Sequence, residues 1–141
     1  MIREWIYNRL TTDPDLTAYL LANDCDPELF VTQGESWRNT RTPSGLFMFY
    51  TFGFHTDLGL SETIRPSRQY FQVHVHDKPS DYTRINRVLS IINSPSFWVN
   101  PPREVIHLEW METSRDLDDD TLGTITRYSR FNYIRGDSNV S

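Results

Sequence analysis

The sequence predicts an α/β (α+β) fold: a small mixed or antiparallel β-sheet packed by two main helices, with a C-terminal β-hairpin. Three observations predict it. Arg68 to Asp77 alternate, Phe71, Val73 and Val75 on one face and Tyr70, Gln72, His74 and His76 on the other, which is the period of a strand. Tyr82, Ile85, Val88, Leu89 and Ile92 recur at helical spacing, with Arg84 and Arg87 on the polar side. Val105 to Ser114 and Thr124 to Ile134 read as two long strands, and an isolated hairpin is marginal in water, so they join the sheet or another subunit.

Taken in order, Ile2, Trp5, Ile6 and Leu10 place one apolar stripe on an opening helix of about ten residues. Thr12-Asp13-Pro14-Asp15 restarts the helix. Asp13 is placed to cap free N–H groups, and Pro14 sits at the first helical position, where its missing donor costs nothing. Leu16, Tyr19 and Leu20 continue the apolar face. Ala22 to Glu28 is polar and holds Pro27, a loop leading into a short extended piece at Leu29-Phe30-Val31. Gln33 to Gly45 lacks periodicity and ends in the turn signal Pro43-Ser44-Gly45. Leu46 to Phe54 then has strand composition and is apolar on both faces, which requires cover on both, from the chain's own helices or from a neighbour. A second loop runs from His55 to Pro66. Pro79-Ser80-Asp81 opens the later helix and Asn93-Ser94-Pro95 ends it. Arg115 to Gly123 is an Asp-rich loop between the last two strands, and residues 135–141 read as a tail.

The 141 residues and 16.7 kDa fit one domain spanning 1–141. The net charge of −5 argues against a grip on nucleic acid, which needs clustered Lys and Arg. Almost every basic residue is arginine, whose planar fork suits protein interfaces. One cysteine, Cys25, excludes an internal disulfide framework and a multi-cysteine zinc site. No run approaches the roughly 20 apolar residues of a membrane span, and Met-Ile-Arg-Glu-Trp lacks the order of a signal peptide, so synthesis in the cytoplasm is expected.

Several patterns bear on chemistry. His74 and His76 lie two apart on one strand face and could turn two imidazoles toward one metal, with His55 or His107 as a third ligand; the plainer reading is a solvated or interfacial face. Asp116, Asp118, Asp119 and Asp120 lack the order and the terminal Glu of a calcium loop, and read as a solvated turn or one that meets arginines across a subunit boundary. Cys25 lies between Asp24 and Asp26, which raise rather than lower a thiol pKa and make it a poor nucleophile. Trp37, Trp98, Trp110, Tyr50 and Tyr70 could stack bases, but a stacking reader also brings a basic groove. Arg38, Arg41, Arg65 and Arg68 form the one local basic enrichment, and Arg beside aromatics is interface composition. No cofactor fingerprint, Walker loop, Gly-x-Ser-x-Gly or His-Glu-x-x-His occurs, and no catalytic, cofactor or metal residue is assigned.

Three local patterns, in this order, resemble the tail terminator (tail completion) proteins of long-tailed bacteriophages. They are an amphipathic opening followed by Thr-Asp-Pro-Asp-Leu-Thr-Ala-Tyr-Leu, the strand Phe71-Gln72-Val73-His74-Val75 feeding a helix near Asp81, and Ser114 to Asp119 through Gly123 into Tyr128-Ser129-Arg130-Phe131. The resemblance spans most of the chain; Gln33 to Gly45 and His55 to Pro66 depart from the family's pattern. It implies a non-enzymatic virion protein, assembled in the host cytoplasm, that forms a ring, usually a hexamer, on the head-proximal end of the tail tube. Such a ring ends polymerisation and joins the tube protein to the head–tail connector or head completion protein, with DNA passing through its channel. Another neck protein, a head completion or connector subunit, is the alternative. On this reading Arg38, Arg41, Arg65, Arg68, Phe49, Asp118, Asp119 and Arg127 are the candidate subunit-interface residues. A net acidic subunit suits a channel wall, since a basic one would bind phosphates and stall passage.

Overall fold

The computed structural model describes residues 2–27, 31–33, 46–54, 67–79, 82–119 and 123–135; for Phe54, Ser67, Arg68, Asp119 and Arg135 the backbone alone is described. Among the described residues it is a mixed α+β fold with three helices and a six-stranded sheet. Helices α1 (Ile2–Thr12) and α2 (Pro14–Ala22) precede β1 (Val31–Gln33), β2 (Phe47–Phe54) and β3 (Ser67–Asp77). Then come α3 (Thr83–Ile92), β4 (Val105–Thr113), β5 (Leu117–Asp119) and β6 (Thr124–Arg135).

The break between α1 and α2 follows from Asp13-Pro14. Proline withholds a donor at the first position of α2, and Asp13 Oδ2 accepts the Leu16 N–H at 3.1 Å. The opening region is thus two helices, and three stand where two main ones are expected. α3 carries the strongest amphipathic pattern, with Ile85, Val88, Leu89 and Ile92 buried; Tyr82, expected on its apolar face, sits at its N-cap and donates its hydroxyl to Leu117 O at 3.1 Å.

The sheet order is β1-β2-β3-β6-β4, with β5 also on β6. β1 runs parallel to β2, and the other pairs are antiparallel. Met48, Tyr50, Phe71, Val73, Val75, Phe131 and Tyr133 form the face on which the helices pack. Phe71 is its centre, stacked on Phe131 at 5.1 Å and edge-on to Trp98 at 5.2 Å. α1 also holds the connection after α3: Trp5 Nε1 donates to Val99 O at 2.9 Å and Arg9 Nε to Phe97 O at 2.8 Å.

The C-terminal strands depart from a simple hairpin. β4 and β5 follow one another along the same edge of β6, so Leu117 to Asp119, expected in a loop, are paired strand. The register slips at Ile106, at Met111, and again between Thr113 and Leu117, where three residues on the outer side face two on β6. Each slip is a bulge, which bends the strand and leaves one residue without a cross-strand partner. β6 keeps an unbroken register with β3 from Thr124's neighbour Ile125 to Arg135, so Arg135 closes a strand rather than opening a tail; 136–141 lie outside the described residues.

Candidate functional site

Alternation in β2, β3 and β6 sends a second set of side chains to the face opposite the helices. Cross-strand register aligns them in rungs: Phe47, His76 and Thr126; Phe49, His74 and Tyr128; Thr51, Gln72 and Arg130; Gly53, Tyr70 and Asn132. Phe49 stacks on His74 at 4.7 Å, and Phe47 on His76 at 4.7 Å. Arg130 lies over the Tyr70 ring at 4.6 Å, and a Cβ added at Gly53 would collide with that same ring, so glycine here is what lets the tyrosine lie flat.

Of the two readings that strand alternation suggests for this face, solvated or interfacial, the solvated one does not hold. His76 is 2% exposed and Phe47 1%. His74 has neutral chemistry: burial, helped by the neighbouring His76, pushes its pKa down to about 4. With its amide oxygen turned to Arg130, Gln72 accepts from Nη2 at 2.7 Å and Nε at 3.0 Å, while its nitrogen donates to His74 Nε2 at 3.2 Å. His74 Nε2, 3.3 Å from Thr51 Oγ1, is therefore an acceptor, the tautomer with its proton on Nδ1. The pair is a packed aromatic ladder, and among the described residues no group of three His, Cys, Asp or Glu could hold a metal. His107 lies on β4 with its Nε2 3.6 Å from Glu109, and His55 is outside the described residues.

The edge made by β4 has another character. Ile106, Trp110 and Met111 are 64, 49 and 47% exposed, and Ile106 and Met111 are the unpaired residues of the two bulges within β4. The sheet itself makes no use of them. Behind the edge lies a cavity of about 380 Å³ whose lining includes Asn93, Pro95, Trp98, Leu108, Trp110 and Phe131. Its wall is fixed by the Thr113 hydroxyl, which accepts from Trp110 Nε1 at 3.3 Å and from Asn93 Nδ2 at 3.1 Å and so donates to Ser129 at 2.9 Å. The other end of that amide, Asn93 Oδ1, is buried without a hydrogen-bond partner. Acidic groups border the patch: between Glu104 and Asp119 the chain has six carboxylates and one arginine, so the whole net charge of −5 falls on this stretch and the remainder is balanced.

The predicted interface residues divide. Phe49 is buried in the ladder, at 7% exposure. Asp118 is exposed on β5, beside Asp119, whose backbone pairs with Thr124. Arg127 is engaged within the chain, donating Nε to Ser114 O at 3.0 Å, meeting Asp116 at 3.4 Å and reaching Asn86 Oδ1. Arg68 lies in β3 opposite Ile134, and Arg38, Arg41 and Arg65 lie outside the described residues, as do Trp37 and Asp120. Cys25 is fully buried and burial raises its thiol to about 12, which agrees with a packing role. Trp98 is a core residue with Nε1 bonded to Ile92 O at 2.8 Å. The bulged edge and its cavity were not singled out from the sequence; the signal available was the run Ile106, Trp110 and Met111 out of step with period-two alternation.

Among the described residues no helix is long and apolar enough to cross a membrane. No protein-family profile matches the chain, and no curated protein matches it. Solved structures do: one aligns with 96% of this chain and 93% of its own length at a TM-score of 0.55 and 17% identity, a likeness of fold.

Proposed function

We propose that the chain is a structural subunit of a phage tail neck, a tail terminator that assembles as a ring on the head-proximal end of the tail tube, stops its growth and meets the head connector. The observation that carries this reading is the β4 edge, where exposed apolar bulge residues and a cavity behind them form a surface the fold itself leaves unused. Contiguous apolar surface of this kind marks a site of protein association, and bulges and carboxylates on an edge strand oppose indiscriminate sheet pairing. An interface that joins one side of a subunit to a different side of the next closes into a ring when the rotation between subunits closes, and runs on as a filament when it does not. The element order and the segments quoted above support the tail terminator assignment; a head completion or connector subunit shares the same requirements and is the alternative. The protein acts without cofactor in this reading, its location is the virion, and the acidic stretch suits a channel that DNA crosses without binding.

Light scattering coupled to size exclusion tests it. Six copies of 16.7 kDa give a species of about 100 kDa, and negative-stain images should show a central hole. A monomer at every concentration that also fails to associate with tail tubes contradicts the proposal.

A further inference from the structure

The outer edge of the sheet is built unlike its other strands. Of the nine residues of β4 only Val105 is buried, and six between Ile106 and Glu112 are exposed. Ile106, Trp110 and Met111 are three of those six, and among the described residues only two other large apolar side chains are exposed, Leu21 and Val99. An edge guarded against stray strand pairing needs charge and bulges, which β4 has. It does not need an exposed isoleucine, tryptophan and methionine, whose contact with water is a cost that association removes.

Charge stands on both flanks of these side chains. Register sets Glu109 and Glu112 beside Asn132 and Arg130 on the sheet face away from the helices, and Asp118 beside Ile125 on the face toward them. Glu109 and Glu112 are each 54% exposed, and their partners within the chain are distant, His107 at 3.6 Å and Arg130 at 3.5 Å. Pairs of that length and exposure hold a carboxylate weakly.

An apolar rim between acidic flanks decides the class of occupant. Nucleic acid and anionic lipid are repelled. A second copy is a poor match, because its own β4 edge carries the same charge. Val99 belongs to the connection that leads into β4, and Leu21, exposed on α2, is followed by Asp24 and Asp26. An added strand is excluded by the bulges at Ile106 and Met111, which break the ladder it would need. The complementary surface is that of a different protein, with large apolar side chains set among arginines or lysines.

We propose that the β4 edge docks a basic protein partner other than the chain itself. The partner's apolar side chains sit on Ile106, Trp110 and Met111, and its cations reach Glu109 and Glu112 on one flank and Asp118 on the other. This inference rests on the reading of β4 as an association surface and goes beyond it, assigning that surface to a neighbour of different composition and leaving contacts between copies to other parts of the subunit.

The probe is a fluorescein-labelled synthetic peptide of alternating arginine and leucine, read by anisotropy against the full chain. A peptide with glutamate for arginine and one with serine for leucine are its controls. The wild type should bind the arginine-leucine peptide at least about tenfold more tightly than either control, and the binding should weaken as salt rises. Glu109→Lys with Asp118→Lys, and separately Ile106→Ser with Met111→Ser, should each weaken it about tenfold or more. Asp15→Lys with Asp26→Lys makes the same change of net charge at exposed positions away from the edge and should leave binding within about twofold. Thermal melting confirms that each variant folds, and light scattering reads its assembled mass. A wild type without preference for the arginine-leucine peptide, or an equal loss in the Asp15 and Asp26 variant, overturns the proposal. Edge variants that fold but lose the assembled mass of the wild type make the edge a contact between copies, which overturns this assignment and leaves the ring reading standing. A wild type that assembles neither alone nor on tail tubes, yet binds the peptide through β4, overturns the ring and supports the docking edge.

Discussion

Replacing Asp77 with alanine should lower the free energy of unfolding by about 3 to 4 kcal/mol, a large share of the roughly 5 to 15 kcal/mol a domain possesses. Asp77 ends β3 with its side chain 1% exposed, and Arg84 of α3 clamps it through Nε at 2.7 Å and through Nη2. The same carboxylate accepts the Lys78 N–H at 2.8 Å, and Arg84 reaches toward Asn23 O at the end of α2. One carboxylate thus joins the sheet to the helix layer, and its loss leaves a partly buried guanidinium and a backbone donor unmatched. Urea unfolding measures the loss, and a double-mutant cycle with Arg84→Ala should give a coupling of about 1.5 kcal/mol or more. A loss below about 1 kcal/mol would mean that the pair is screened and the layers are held by apolar packing alone.

His74 should make the fold acid-sensitive in a window where ordinary surface histidines do not. Its folded pKa of about 4 lies below the 6.5 of a free histidine, so the unfolded chain binds the proton more readily. The contribution is fully present above about pH 6.5 and is lost as pH falls toward 4. At 1.36 kcal/mol per unit, the shift amounts to about 3 kcal/mol across that interval. His74→Gln removes the titration and keeps a hydrogen-bonding group near Thr51 and Gln72, so wild type and variant should converge in relative stability as the pH is lowered from 7 to 4. A stability difference that stays flat over this range would show that the imidazole is hydrated rather than packed against Phe49.

Local signals in the sequence were enough to place the helix layer and the central strands. Asp13-Pro14 sets a helix boundary by cap chemistry within four residues, and Phe71, Val73 and Val75 declare a core face by alternation. The fate of the opposite face was not legible in the same way. Phe49, His74 and His76 alternate as a polar or interfacial set would, yet their burial depends on which residues register places across from them, and twelve residues of chain separate β2 from β3. The outer edge was hidden for a different reason. Three bulges shift the phase of Val105 to Asp119, so a period-two reading assigns inward and outward positions wrongly after each one and takes Leu117 to Asp119 for loop. The cavity behind β4 joins Asn93, Trp98, Trp110 and Phe131 from three separate parts of the chain, a juxtaposition that only the fold brings about. Arg127 shows the converse: a residue that reads as a surface cation is tied to Ser114, Asp116 and Asn86 by the bulge beside it.

The central claim is that this chain ends a polymer. Electron microscopy of tail tubes grown from the tube protein that the proposal pairs with this chain, with and without the purified chain, addresses it most directly. The account predicts shorter tubes bearing a ring at one end, and capped tubes that fail to elongate when fresh tube protein is added. Tubes that grow to the same lengths in both cases, with no chain at their ends, would contradict it.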